Sequence, residues 1–172
     1  MPKSPPQPRP LSSTAPPLKQ QQVGEHVRRL REQARLSVRA LAALPWQPVR
    51  PGFALKVVRG GDRDADTRVL LLRVESGTVI RRHRHAGEVH ALNLAGTREL
   101  DTGERIGPGG YVYEPPGNVD EWRAVGDEPC VVFLTARGAI EYVDDPGPSP
   151  RSTTPSVTAS YAAFVAGAGA AR

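Results

Sequence analysis

The sequence predicts an all-β domain, a sandwich or barrel of short strands with a helical extension ahead of it. Two observations lead there. Residues 53–58, 67–75, 89–95, 111–114, 130–135 and 140–143 are short runs of β-branched and aromatic residues with no long helix between them. Gly, Pro and Asp turns separate these runs, notably Gly60-Gly61-Asp62 and Gly107-Pro108-Gly109-Gly110.

The flanks read differently. Residues 1–22 are rich in Pro, Gln and Ser and bury too little apolar surface to offset the entropy of ordering, so a disordered tail is expected. Within residues 23–44, Val23, Val27, Leu30 and Ala34 follow helical spacing, and Ser37 suits the N-cap of a second short helix that Pro45 stops. Residues 45–145 form the expected globular domain. Residues 146–172 begin Pro146-Gly147-Pro148 and run into Ser/Thr/Pro and Ala/Gly stretches, so they read as mostly disordered, with one helical turn at 161–165.

Composition narrows the classes. A chain of 172 residues has room for one domain with extended ends. The net charge of +5 is concentrated in residues 28–39, where Arg28, Arg29, Arg31, Arg35 and Arg39 face one acid, Glu32. Such a charge is weak evidence for a nucleic-acid partner. The single cysteine, Cys130, excludes an intrachain disulfide framework and sits in an apolar run, as a buried structural residue would. A cytoplasmic location is expected. No run reaches the roughly 18 apolar residues of a membrane span, and residues 1–22 lack the apolar core of a secretory signal. No phosphate-binding Gly loop precedes a helix.

The chemistry concentrates in one place. Of four histidines, three lie between positions 83 and 90: His83, His85 and His90. In a strand His83 and His85 share a face, and two imidazoles on one face are half of a transition-metal site. Arg82 and Arg84 then point to the opposite, polar face. A second stretch, residues 109–122, supplies a turn and then a carboxylate, Asp120.

These stretches resemble the paired motifs of the cupin superfamily. Gly77, His83, His85 and Gly96 match the first, G-x5-H-x-H-x3-4-E-x6-G; Gly109, Pro115 and Gly117 match the second, G-x5-P-x-G-x2-H-x3-N. Val89 or His90 occupies the glutamate slot, Asp120 the histidine slot and Ala124 the asparagine slot. The resemblance implies a single jelly-roll barrel (a double-stranded β-helix) with the site inside. Leu44-Pro45-Trp46, Pro51-Gly52-Phe53, the run from His83 to Ala91, Tyr111-Val112-Tyr113-Glu114-Pro115-Pro116-Gly117 and Ile140-Glu141-Tyr142-Val143-Asp144 are similar to acetylacetone-cleaving and dihydroxyacetophenone dioxygenases. That resemblance implies a non-haem iron enzyme that cleaves a carbon–carbon bond next to a carbonyl, with O2 and a small dicarbonyl or hydroxyketone as partners. Its three-histidine ligand set carries over to His83 and His85 only.

Asp120 has three readings: third ligand in a two-histidine, one-carboxylate set; a side chain too short to reach; or a bystander to a ligand from another strand. His90 is a candidate fourth ligand, or a partner that orients one. Glu88 belongs at the solvated end of a loop, and Tyr113, Glu114 and Trp122 at the cavity mouth or in β-packing. Fe(II) is the expected ion and Zn(II) the alternative. The opposing reading is a non-catalytic sensory cupin. Residues 24–33 and 37–44 are similar to the first two helices of repressor-type helix-turn-helix domains, but Pro45, Pro48 and Pro51 interrupt any recognition helix, so sequence-specific nucleic-acid binding is not expected. The sequence leaves self-association into a homo-oligomer open.

Overall fold

The computed structural model describes residues 38–144 and 151–170. Helix α1 (Val38–Ala43) leads into β1 (Gln47–Arg50), β2 (Phe53–Arg59), β3 (Thr67–Val74), β4 (Val79–His85), β5 (Val89–Ala95) and β6 (Thr97–Leu100). There follow β7 (Arg105–Ile106), β8 (Tyr111–Glu114), β9 (Val119–Val125), β10 (Cys130–Arg137), β11 (Ile140–Tyr142), β12 (Arg151–Ser152) and helix α2 (Thr154–Ala170). The strands build two antiparallel sheets, ordered β1-β2-β3-β10-β5-β8 and β12-β11-β4-β9-β6-β7. From β3 to β11 the chain alternates between the sheets, with β6 and β7 making one visit together. That alternation is the jelly roll, and the all-β expectation stands.

The core follows from strand periodicity. Leu70, Leu72 and Val74 of β3 face Val132 and Leu134 of β10, Val89 and Ala91 of β5, and Ile80, Trp122 and Ala124 of the second sheet. The alternate residues Val69, Leu71 and Phe133 point out and are covered by Leu41 of α1 and by Trp46. Lys56 lies on that outer side, its Nζ 4.7 Å from the Trp46 ring centroid and donating to the Ala42 carbonyl at 3.2 Å. Strand β4 breaks strict alternation. Ile80 and His83 are three apart yet both buried, because a register shift between them against β9 inserts an extra residue. This bulge turns the polar half of β4 so that His83 and His85 face in, while Arg81, Arg82 and Arg84 are exposed.

One glycine of the motifs is required by geometry. Gly96 has φ of +63°, and a Cβ there would lie 2.4 Å from the Pro129 carbonyl oxygen. Only a residue without a side chain makes the β5–β6 turn against β10.

The structure corrects the reading of the C-terminal stretch. Within residues 146–172, α2 is a continuous 17-residue helix, and Tyr161 is buried in the barrel core with Val157, Phe164 and Val165 packed beside it. Its start is a reciprocal cap: the Ser156 amide donates to Thr153 Oγ1 at 3.2 Å and the Thr153 amide to Ser156 Oγ at 3.0 Å. Pro155 is tolerated in the first turn, where its missing N–H has no partner to lose. The helix is tied down by Tyr161 Oη donating to the Pro45 carbonyl at 2.8 Å and by Thr154 Oγ1 donating to the Asp66 carbonyl at 3.1 Å. The expected tail 1–22 and the first extension helix lie outside the described residues, as does Ser37. Strand β1 precedes the expected strands and contains Pro48; as an edge strand it accepts proline.

Candidate metal centre

His83 and Asp120 are register partners across β4 and β9. Both face the barrel interior, and His85 follows His83 two residues on. The turn at 115–118 locks this arrangement. The Gly117 amide donates to the His85 carbonyl at 2.7 Å and the His85 amide to the Asn118 carbonyl at 2.9 Å. Gly117, with φ of +85°, makes that turn. The second motif therefore grips the backbone of the first.

The donor atoms converge. Asp120 Oδ1 lies 3.2 Å from His83 Nε2 and 3.3 Å from His85 Nε2. His83, His85 and Asp120 are all buried, with one donor atom of each within 4.8 Å of the others. Bonds of about 2.0–2.2 Å to a common ion set neighbouring donors roughly 3.0–3.5 Å apart, so the spacing fits a metal. His83 Nδ1 lies 2.8 Å from the Arg81 carbonyl oxygen. A proton on Nδ1, donated to that carbonyl, leaves the Nε2 lone pair facing Asp120.

Glu114 was expected at the cavity mouth or in packing. It is buried at the end of β8, with Oε2 2.8 Å from His85 Nε2. The signal lay in the sequence: Tyr111-Val112-Tyr113-Glu114 alternates, so Val112 and Glu114 share a face. Arg98 of β6 is also buried, its guanidinium 5.4 Å from the Trp122 ring centroid. Burial lowers its pKa, against the charges of Glu114 and Asp120.

His90 is corrected. It shares a face with Leu92 and Leu94, as its spacing requires, but that face is the outer one: Val89, Ala91 and Asn93 take the buried positions of β5. His90 Nδ1 lies 2.6 Å from Tyr111 Oη, and its ring packs against Tyr113. It stands outside the cluster of His83, His85 and Asp120.

Without an ion these groups hold a proton instead. Burial acts to lower the His85 pKa, but hydrogen bonds and charge from Asp120 and Glu114 outweigh it and raise it to about 9. Burial likewise opposes the charge on Asp120, and His85, His83 and Arg98 overcome it, lowering its pKa. The sign follows from linkage. A pKa raised from 6.5 to about 9 stabilises the metal-free fold fully below about pH 6.5, and that contribution is lost as pH rises through about 9. The melting temperature of chelator-treated protein is therefore expected to fall between pH 6.5 and 9. Metal affinity is expected to rise over the same window as the competing proton leaves. A flat melting profile in chelator would contradict this.

A cavity of about 540 Å3 opens beside the cluster, lined by His83, His85 and Glu114, by apolar side chains such as Leu70, Ile80 and Leu134, and by Arg68 and Arg98.

Fold and site together define a cupin. Residues 34–141 match the ChrR cupin-like domain, and the chain belongs to that family. No curated protein matches the sequence. Among solved structures, the chain is similar to an RmlC-like cupin from Ralstonia eutropha, at 20% identity over 70% of this chain and 80% of that one, with a TM-score of 0.63. It is similar to a putative acetylacetone dioxygenase from Methylibium petroleiphilum at 15% identity, over 71% and 91% of the two chains, with a TM-score of 0.63. It is also similar to an acetylacetone dioxygenase from Acinetobacter johnsonii at 15% identity, over 69% and 85%, with a TM-score of 0.59. At these identities the likeness is one of fold. No helix among the described residues is long and apolar enough to cross a membrane.

Proposed function

We propose that this chain is a mononuclear metal-dependent cupin oxygenase that cleaves a carbon–carbon bond next to a carbonyl in a small dicarbonyl or hydroxyketone, with O2. The observation that carries the reading is the buried His83, His85 and Asp120 cluster beside a cavity of about 540 Å3. Two histidines and one carboxylate suit Fe(II), with Zn(II) the alternative ion, and leave coordination positions free. Bound there, the ion would supply Lewis acidity and O2 chemistry. The chain's own part is to position and to exclude water. Leu70, Leu72, Ile80 and Leu134 make a low-dielectric wall around the substrate's carbon skeleton. Glu114, buried and 2.8 Å from His85 Nε2, places a carboxylate on the cavity wall that can orient that imidazole.

A second reading is a sensory cupin that binds metal or a small ligand without turnover. The match to the ChrR cupin-like domain and the aspartate in the usual histidine slot support it. Oxygen uptake by Fe(II)-loaded protein, screened over dicarbonyls, separates the two. Uptake by the wild type or by Asp120→His supports the oxygenase. No uptake by either, with metal still bound, favours the sensor. A salt-tolerant footprint on one DNA sequence would instead favour a regulator.

A further inference from the structure

The cavity beside the cluster meets solvent on one side. Its lining residues from β3, β4, β5, β9 and β10 are all buried. Among the described residues, the exposed ones that line it are Pro48 and Val49 of β1, Arg151 of β12, and Ser156 and Ser160 of α2. The way in from solvent therefore runs between β1 on one side and β12 with the first turns of α2 on the other. Val49 and Val157 give this passage apolar walls.

The two sides are held differently. The α2 side is pinned: Arg68 Nη1 donates to the Ser152 carbonyl at 3.1 Å, Thr154 Oγ1 to the Asp66 carbonyl at 3.1 Å, and the Tyr161 ring is buried in the core. Strand β1 is an edge strand whose sheet neighbour is β2, and its register with β2 slips between Pro48 and Arg50. A hydrogen bond spans the opening, from Gln47 Nε2 to Ser160 Oγ at 2.9 Å. It is an exposed bond between neutral groups, which water can replace at little cost, so it is suited to break and re-form. The family match ends at residue 141, so β12 and α2 lie beyond it. The histidines and Asp120 fall within the matched domain, whereas one side of the passage is built by a segment outside it.

We propose that ligands reach the cluster between β1 and α2, that the Gln47–Ser160 hydrogen bond latches this passage, and that α2 thereby selects for slender ligands. The proposal deepens the function given above and rests on its reading of the cavity as the ligand site. A group at such a mouth acts on rates. Entry and exit cross the same barrier, so it changes both alike and leaves the affinity where it was.

The test mixes zinc-loaded full chain with acetylacetone, or with the bulkier benzoylacetone, in stopped flow. Gln47→Ala is expected to raise the association and dissociation rates of benzoylacetone together, by about two- to tenfold, the range of one hydrogen bond, and those of acetylacetone by less. The double variant Ser156→Phe, Ser160→Phe is expected to lower both rates by about tenfold or more. Its zinc content and melting temperature should stay at the wild-type level, because both positions are exposed. Unchanged rates in both variants, or a loss of affinity at an unchanged association rate, would overturn the passage. A second readout needs neither metal nor substrate. The Trp122 ring lines the cavity, and Trp46 is the other tryptophan of the chain. In metal-free Trp46→Phe protein, acrylamide quenching of Trp122 is expected to weaken with the phenylalanine pair and to strengthen with Gln47→Ala. Equal quenching in all three would overturn the passage. Zinc-loaded wild type that binds neither diketone would sink the function given above, and the quenching then decides the passage alone.

Discussion

Asp120→Ala is expected to weaken Fe(II) or Zn(II) binding by about tenfold or more, beyond what loss of a group that merely orients a ligand usually causes. Asp120 Oδ1 is the atom on which the two Nε2 atoms converge, at 3.2 and 3.3 Å. Its removal leaves two histidines on one strand with Glu114, beside His85, as the remaining carboxylate. It also strands the His85 proton, which Glu114 alone would then share at 2.8 Å. Asp120→His is expected to retain metal and to raise cleavage of simple β-diketones, because a neutral third ligand leaves the ion a better trap for an anionic diketonate. Metal content measured on protein purified without chelators checks both. Unchanged metal in Asp120→Ala would remove Asp120 from the ligand set and leave Glu114 as the carboxylate to examine.

Tyr161→Ala is expected to destabilise the protein by about 3 kcal/mol or more. The ring is 6% exposed and packs in the same cluster as Leu70, Leu72 and Trp122. Its hydroxyl also holds the Pro45 carbonyl at 2.8 Å, fixing the chain just ahead of β1. For a chain of this length a loss of that size lowers the melting temperature by about 6–12 °C. Tyr161→Phe removes only the hydrogen bond and is expected to lose about 1 kcal/mol. Removal of residues 147–172, which composition alone makes look harmless, is expected to be at least as damaging as Tyr161→Ala. A melting temperature within about 2 °C of wild type after that truncation would show that α2 does not hold the barrel closed.

The contrast between these two sites shows what sequence patterns can carry. His83 and His85 were readable because spacing of two fixes a common face whatever the rest of the strand does, and Arg84 between them marks the outer face. The bulge after Ile80 was not readable, yet without it the histidines would share a face with residues that now point to solvent. His90 shows the limit of face arguments. Periodicity correctly grouped it with Leu92 and Leu94, but which of two faces looks inward is decided by β5 packing against β10 and β8. Arg68 carried no signal in the sequence: charged residues are mostly exposed, and only the closed barrel shows this one buried. Helix α2 was hidden by its Ala/Gly composition. Its cap, Thr153-Thr154-Pro155-Ser156, and the spacing of Val157, Tyr161 and Phe164 were the available signals.

Metal stoichiometry tests the central claim most directly. Full-length protein is purified without chelators, stripped, and titrated anaerobically with Fe(II) and separately with Zn(II). Bound metal is counted and melting temperature followed, beside a His83→Ala, His85→Ala double variant. The account predicts about one ion per chain and a melting temperature that rises with metal concentration. It predicts neither effect in the double variant, which should still show the wild-type fold by circular dichroism. Sub-stoichiometric metal in the wild type with no thermal shift, or equal binding by wild type and double variant, would contradict it.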